Sequence, residues 1–303
     1  GGDLLKKALC TADRLSAGTD ALRGQEADSE SSQRARLLSP FSYIRLEREG
    51  APPDNSSYYP LSALNSDAFP TSLEAAQETD YADLFRGLLD DLGHLPLKSG
   101  LKHYTDSLQS LLEKYLWCVP ASTSETDPDI SLFDHAYATT AIAQALACYH
   151  SEQGGMPGEA ASSQKKFLLL GADLSGIQKH IFGIEKSHSA GVAKILRARS
   201  FLLQAAVRSV VNSLLKELGL MPQARIMDAG GELILLLPNT DSVRYRLPEF
   251  ETRVQRWFLE AYQGEVSLIL SYEMELSEQD LQDRFQEAFN RLQGSLQKKK
   301  LSR

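Results

Sequence analysis

The 303-residue sequence has few cysteines, no long apolar run and no secretion signal. Its three cysteines, Cys10, Cys118 and Cys148, lie far apart and form no C-x-x-C pair, which excludes a zinc ribbon within the chain and gives no disulfide framework. No apolar run approaches the roughly 18 residues that a membrane span needs, and no signal-peptide pattern opens the sequence. We therefore expect a cytoplasmic protein with no membrane partner.

The short motifs of several enzyme classes are also missing. The sequence contains no H-E-x-x-H, no G-x-S-x-G and no G-x-x-x-x-G-K-[ST]. Metalloprotease, α/β-hydrolase and P-loop interpretations therefore lack support. The net charge of -8 argues against a surface built mainly to coat nucleic acid, although it is compatible with a local basic groove.

Helical patterns alternate with polar connections in the first half of the sequence. Residues 1–18 predict a helix that ends at a glycine, and the polar stretch 19–36 predicts a linker. In the region 37–150, residues 37–47 have the composition of a strand and predict a small β-hairpin. Small, flexible residues at 151–165 predict the main domain boundary. Three helices are expected within 37–150, over 81–92, 103–117 and 131–150.

Residues 166–303 carry the pattern of a ferredoxin-like domain. Continuous apolar runs predict strands and 3.6-residue periodicity predicts helices, in the order β-α-β-β-α-β with a trailing helix. A long helix is expected over 192–218, a second helix opens at Pro248, and Ser277 with Asp280 caps the trailing helix. The predicted fold class is α+β, a ferredoxin-like βαββαβ palm domain preceded by a mainly helical region with a small β-hairpin.

The most specific stretch is GADLSGIQKHIFGI at 171–184. It places Asp173 at the end of the central strand, with Ser175 and Gly176 in the following turn. In palm-type cyclases and polymerases, a carboxylate at this position and another on the neighbouring hairpin hold a divalent metal. Here the hairpin DAGGEL offers one acid, Glu232, where two adjacent acids are expected. The two carboxylates could face each other across adjacent strands; alternatively, Glu232 faces solvent and Asp173 caps the turn.

Two short basic clusters complete the set of candidates. On a helix, Lys194 and Arg197 share a face, which could bind a triphosphate or an RNA backbone. The alternative is a solvated face paired with the many carboxylates. The clusters consist of Lys194, Arg197 and Arg199, and of Lys298, Lys299 and Lys300.

With these residues in view, the chain resembles the large subunit of type III-A, Csm-type CRISPR effector complexes. TADRLSAG resembles the last helix of the family's HD nuclease domain, and SPFSYIRL with YYPL resembles its connecting hairpin. LEKYLWCVPASTSETDPDISLFDHAYATTAIA resembles its most recognisable helical motif. GADLSGIQKHIF, LRARSFLL and GGELILLLPNT resemble its first palm. The resemblance implies that residues 1–18 end the nuclease domain and that 166–303 form the first palm.

In that family the subunit cleaves single-stranded DNA with its HD domain and makes cyclic oligoadenylate from ATP, with Mg or Mn, at a GGDD palm. This sequence has neither a His-Asp doublet nor GGDD, so we expect those parts to lie outside it and the chain alone to be inactive. The family binds ATP between its two palms. Carried over, the nucleotide-facing residues are Asp173, Ser175, Gly176, Gln178, Gly230 and Gly231, with Arg197 and Arg199 near them or near the RNA side.

The resemblance also implies partners. These are the other Csm-type subunits, especially the one that holds the guide RNA 5′ end, together with guide RNA, target RNA and the second palm. Two alternatives remain open. One is a stand-alone nucleotidyl cyclase that uses Asp173 and Glu232 as metal ligands. The other is a pure interaction module whose palm binds no nucleotide.

Overall fold

The structure is a computed structural model that describes residues 2–17, 34–44, 56–96, 100–123, 125, 127–158, 162–183 and 191–302. The chain divides into two compact units, Asp20–Tyr137 and a larger unit formed by Gly1–Thr19 with Ala138–Arg303. The domain boundary expected at 151–165 stays a prediction. Within the described part of the chain, no helix is both long and apolar enough to cross a membrane.

Helices and strands follow one another largely as the sequence predicts. In chain order the elements are α1 (Gly2–Ser16), α2 (Leu73–Ala76), α3 (Tyr81–Leu92), α4 (Leu101–Leu116), α5 (Leu132–Gln153), β1 (Lys165–Ser175), α6 (Ile177–Phe182), α7 (Val192–Leu218), β2 (Arg225–Ala229), β3 (Glu232–Pro238), α8 (Asp241–Tyr262), β4 (Ser267–Ser277), α9 (Glu278–Asp283) and α10 (Phe285–Leu301). The predicted helices over 81–92, 103–117 and 131–150 are confirmed as α3, α4 and α5. The end of α5 extends three residues into the expected linker.

The smaller unit is built around α3 and α4. Leu84, Leu111 and Tyr115 are buried together from these two helices. The guanidinium of Arg36 closes the end of α2, because its Nε donates to Ala76 O at 2.9 Å and its Nη2 donates to Thr79 O at 2.7 Å. Carbonyls that lack an intrahelical partner at this helix end are thereby satisfied by a charged donor.

The prediction of a strand over 37–47 is wrong for the residues at its centre. Pro40–Tyr43 form a single 3₁₀ turn, which Ser39 caps by accepting a hydrogen bond from Phe41 N. Proline fixes φ at a value suited to the first position of such a turn and has no amide to give to a strand partner. An isolated antiparallel bridge joins Leu38 to Tyr58, and residues 45–47 lie outside the described residues.

The larger unit contains a four-stranded sheet in the order β2-β3-β1-β4, with antiparallel neighbours throughout. This is the strand order of a ferredoxin-like domain, so the predicted fold class is confirmed. Successive side chains of β1 point to opposite faces. Leu168 and Leu170 pack under α7 and α8 on one face. Phe167 and Leu169 pack under α1, α5 and α10 on the other.

Helix ends in the larger unit show where local rules hold. Gly219 ends α7 in the left-handed conformation, with φ 69°, as the sequence predicts. Ser277 and Asp280 form a complete capping box at α9. The trailing helix nevertheless breaks at Arg284, whose φ of -138° leaves the helical region, so α9 and α10 are separate helices.

The prediction that a helix opens at Pro248 is wrong, because α8 begins seven residues earlier. Thr240 caps its first turn by accepting from Val243 N, and Glu152 accepts from Ser242 N at 3.0 Å. Because these bonds stabilise the first turns, the helix tolerates the loss of one backbone hydrogen bond at Pro248, which has no amide hydrogen.

Candidate functional site

The sheet register places Asp173 of β1 opposite Glu232 of β3. Directly opposed residues of antiparallel strands carry their side chains on the same face, with Cβ atoms about 4.5–5.5 Å apart. The two predicted carboxylates therefore lie together, as one reading of the sequence expected. The alternative, in which Glu232 faces solvent and Asp173 caps the turn, does not match their positions, because Lys300 and Gln293 of α10 contact them.

The last turns of α10 cover this carboxylate pair. Lys300 Nζ forms an ion pair with Asp173 Oδ2, and Gln293 Nε2 donates to Glu232 Oε1. The Asp173 side chain is only 12% exposed and that of Lys300 is 23% exposed. Each acid is thus already engaged by a side chain of the same chain, in a place where water has limited access.

Further contacts fix α10 against the same face of the sheet. Ser295 Oγ hydrogen-bonds Ser271 Oγ of β4 at 2.8 Å, and Lys299 Nζ lies 3.0 Å from Glu273 Oε1. The basic cluster 298–300 therefore does not form one solvated patch, because two of its three ammonium groups bind carboxylates of the sheet.

The turn after β1 packs against the glycine hairpin. Leu174 N donates to Gly231 O at 3.1 Å. A Cβ built on Gly231, whose φ is 140°, would lie 3.0 Å from Ile177 Cδ1. Gly176 has φ 88°, and a Cβ there would lie 1.9 Å from Glu265 O. Only glycine fits these backbone positions, so the structure brings the predicted turn and hairpin together.

The remaining nucleotide candidates lie on or beside this turn. Gln178 is exposed on α6 and Ser175 is half-buried at the end of β1. Gly230 is exposed, and a Cβ added there would meet nothing within 4 Å. The turn thus presents a small, open polar surface next to the covered carboxylates.

The two candidate arginines of α7 have different surroundings. Arg199 is half-buried and its Nη1 donates to His180 O at 2.6 Å, which ties α7 to the end of α6. Arg197 is exposed, and its Nε donates to Ala193 O of its own helix at 3.2 Å. His180 in turn packs edge-on against Tyr262, with ring centroids 5.3 Å apart, and burial raises the pKa of that tyrosine.

The first acid of the DAGGEL hairpin lies on the other face of the sheet. Asp228 pairs with Leu233, whose side chain belongs to the core under α7 and α8. Its Oδ2 accepts from Arg208 Nε at 2.9 Å. Asp228 therefore cannot join Asp173 and Glu232 in one metal site.

The residues present do not fit the divalent metal that two such carboxylates hold in palm-type cyclases and polymerases. In the parts of the chain that the structure describes, no group of three or more His, Cys, Asp or Glu side chains could hold a metal ion. Mg²⁺ requires near-octahedral oxygen coordination, and the opposed carboxylates of Asp173 and Glu232 are engaged by Lys300 and Gln293. The stand-alone cyclase alternative, which needs free carboxylates, is not supported by this geometry.

The sequence marks Lys300 as part of a basic cluster, but it connects neither Lys300 nor Gln293 with the carboxylates of Asp173 and Glu232. Gln293, Leu296 and Lys300 are spaced three and four residues apart and so share one face of α10. This spacing places them on one side of a helix, but nothing local in the sequence shows that this side faces Asp173.

Comparison with known proteins agrees with this architecture. Residues 166–303 match the family model described as Csm1 subunit domain B. The chain is 32% identical over 286 residues to a CRISPR system single-strand-specific deoxyribonuclease Cas10/Csm1 (subtype III-A) from Enterococcus italicus. This alignment covers 86% of this chain and 36% of the relative.

Solved structures give the same result. A Csm1–Csm4 cassette in complex with AMPPNP aligns with a TM-score of 0.69 and 26% identity, over 98% of this chain and 37% of that chain. A Csm1–Csm4 cassette in complex with cA4 aligns with a TM-score of 0.67 and 26% identity, over 98% and 37%. The chain therefore spans a little over a third of the length of these relatives.

Proposed function

We propose that this chain, which belongs to the Cas10/Csm1 family of subtype III-A, is the first-palm part of the large subunit of an RNA-guided antiviral effector. The intact subunit would cleave single-stranded DNA with an HD domain and make cyclic oligoadenylate from ATP at a GGDD palm. This chain would supply a non-catalytic wall of the ATP site and contacts to other subunits. We assign residues 1–18 to the end of the nuclease domain, 37–150 to the linker region and 166–303 to the first palm.

The observation that supports a non-catalytic palm is the pair of carboxylates, Asp173 and Glu232, that Lys300 and Gln293 engage on a ferredoxin-like sheet. The sheet order β2-β3-β1-β4 supplies the palm, whereas α10 covers the face on which Asp173 and Glu232 lie. A palm of this form can position a nucleotide, but its two opposed acids are already engaged by Lys300 and Gln293. The Mg or Mn that accompanies ATP would then be held by the second palm.

The exposed side of the turn is the part of this chain best suited to touch nucleotide. Ser175 and Gln178 provide a hydroxyl and an amide, and Gly230 leaves the neighbouring surface free of side chains. Gly176 and Gly231 shape the turn through their backbone conformations. We propose that Asp173 supports this surface from within through its ion pair with Lys300 and does not itself contact the nucleotide. Arg197, which is exposed, could reach a phosphate group, whereas Arg199 holds α6.

Partners follow from the same homology. The similar solved structures include Csm1–Csm4 cassettes, and we propose that this chain also joins other Csm-type subunits, in particular the one that holds the guide RNA 5′ end. Guide RNA, target RNA and the second palm complete the proposed assembly, in the cytoplasm.

Calorimetry with ATP and Mn²⁺ tests the proposal. The chain alone should bind ATP weakly, and addition of a GGDD-bearing second palm should tighten binding at least tenfold. In the reconstituted protein, Ser175→Ala should weaken binding by about fivefold, as expected for one hydrogen bond worth about 1 kcal/mol. Ser213→Ala is the matched control, because Ser213 is exposed on α7 in the groove between α7 and α8.

The outcomes separate the alternatives. If the reconstituted protein binds ATP no better than the second palm alone, the chain is an interaction module and the wall proposal is wrong. If the chain alone converts ATP to oligoadenylate in the presence of metal, the palm is catalytic and the same proposal fails for the opposite reason.

A further inference from the structure

In a metal-binding palm, two carboxylates at this position would hold a divalent cation. Here the positive charge beside them is the ammonium group of a lysine of the same chain. Asp173 and Glu232 oppose each other on adjacent strands, and Lys300 Nζ lies in ion-pair contact with Asp173. We propose that the Lys300 ammonium takes the place of the divalent cation, so that this palm excludes Mg²⁺ and Mn²⁺ from the pair.

The charges of the cluster support this role. Like charges directly opposed on neighbouring strands destabilise a sheet, and partial burial strengthens that repulsion because screening by water is reduced. One ammonium and one amide donor, from Lys300 and Gln293, leave neither acid without a partner. The cluster is therefore satisfied without metal.

The position of Lys300 is set by the helix that carries it. Leu292 and Leu296 are fully buried against the sheet, and Lys300 follows Leu296 by one helical turn on the same face. It also lies in the last turn of α10, where a positive charge is favoured by the helix dipole. The helix thereby places the Lys300 side chain on the face that carries Asp173.

A divalent ion and the ammonium cannot share the pair. A metal bound to Asp173 would lie within a few ångströms of Lys300 and would be repelled by it. Mg²⁺ and Mn²⁺ prefer carboxylate and water oxygens, and removal of the ammonium would release Asp173 as such a ligand beside Glu232, whose partner Gln293 carries no charge. The exclusion of metal thus depends on one side chain.

Mn²⁺ titration of the 303-residue chain, followed by electron paramagnetic resonance without nucleotide, tests the inference. Lys300→Met should bind Mn²⁺ at least tenfold more tightly than the unaltered chain, and the double variant D173N/K300M should lose that gain. The matched control is Lys298→Met, which removes an exposed lysine two residues away on the same helix and should leave Mn²⁺ binding unchanged.

A Lys300→Met chain that folds, judged by circular dichroism, yet binds Mn²⁺ no better than the unaltered chain overturns the inference. A second comparison does not depend on that variant folding: the unaltered chain and D173N should bind Mn²⁺ equally weakly. If D173N instead abolishes binding that the unaltered chain shows, Lys300 does not exclude metal. Because no nucleotide is used, either failure leaves the proposed ATP wall to be judged by its own calorimetric test.

Discussion

Gly171 of β1 lies directly against Leu296 of α10, so closely that a Cβ on the glycine would stand 2.8 Å from Leu296 Cδ1. The same atom would lie 3.2 Å from Leu292 Cγ. The helix therefore approaches the sheet to a depth that depends on the missing side chain. That depth also brings Gln293 and Lys300 within reach of the carboxylate pair.

The first prediction concerns this close approach. Gly171→Val should destabilise the chain by about 1–3 kcal/mol, because extra methyl groups in a well-packed core force neighbouring side chains apart. The displacement of α10 should also weaken the contact between Lys300 and Asp173. Urea denaturation followed by circular dichroism measures the change in the free energy of unfolding.

Gly294 supplies the control for Gly171. It lies on the exposed side of α10, and a Cβ added there meets nothing within 4 Å. Gly294→Ala should stabilise the helix by about 0.5–1 kcal/mol, since alanine has the higher helix propensity. If both substitutions changed stability in the same direction and by the same amount, the close contact at Gly171 would carry no special weight.

The palm itself was predictable because its signals are local. The apolar run of β1 and the run of β3 are each long enough for a buried strand, and α7 carries continuous helical periodicity up to Gly219. Each of these features is encoded within one segment. The α+β order then follows from the sequence of segments.

The state of the candidate site was not predictable in the same way. Asp173 and Lys300 are distant in sequence, and their contact depends on where α10 packs, which no local pattern encodes. The start of α8 was misjudged for a related reason. Glu152 and Thr240 stabilise its first turns, and a bond from another helix outweighs the local preference of Pro248.

The second prediction concerns the anchoring of α6, which carries the exposed Gln178. A helix of six residues is marginal by itself, and α6 depends on neighbours such as the Arg199 guanidinium, which donates to His180 O at 2.6 Å. Arg199→Met should therefore speed hydrogen exchange of the amides at 177–183 by about tenfold. A hydrogen bond from a charged group is typically worth about 1.5–3 kcal/mol. Exchange followed by mass spectrometry gives the local rates.

Arg197→Met is the control for Arg199, because Arg197 is exposed and hydrogen-bonds its own helix. It should leave exchange at 177–183 unchanged. Equal rates in the two variants would show that α6 does not need the Arg199 contact. In that case the assignment of Arg199 to a nucleotide-facing role would regain support over its anchoring role.

The capping box at the start of α9 links stability to acid pH. Partial burial of Asp280 acts to raise its pKa, but hydrogen bonds from Lys165 and from the hydroxyl and amide of Ser277 outweigh it and lower the pKa from 3.8 to about 2. Ser277 N and Oγ lie 2.7 and 2.6 Å from Asp280 Oδ2. The folded state thus favours the ionised carboxylate.

Because the pKa in the folded state lies below that in the unfolded state, the stabilisation is complete above the unfolded pKa near 4 and is lost as pH falls through about 2. At pH 6, Asp280→Asn should cost about 2 kcal/mol. The difference between the two proteins should shrink towards zero between about pH 4 and 2. Lys165→Met should reduce this pH-dependent part without removing it, since the Ser277 bonds remain. Urea denaturation at successive pH values measures both variants, and a difference independent of pH would contradict the role of the charge.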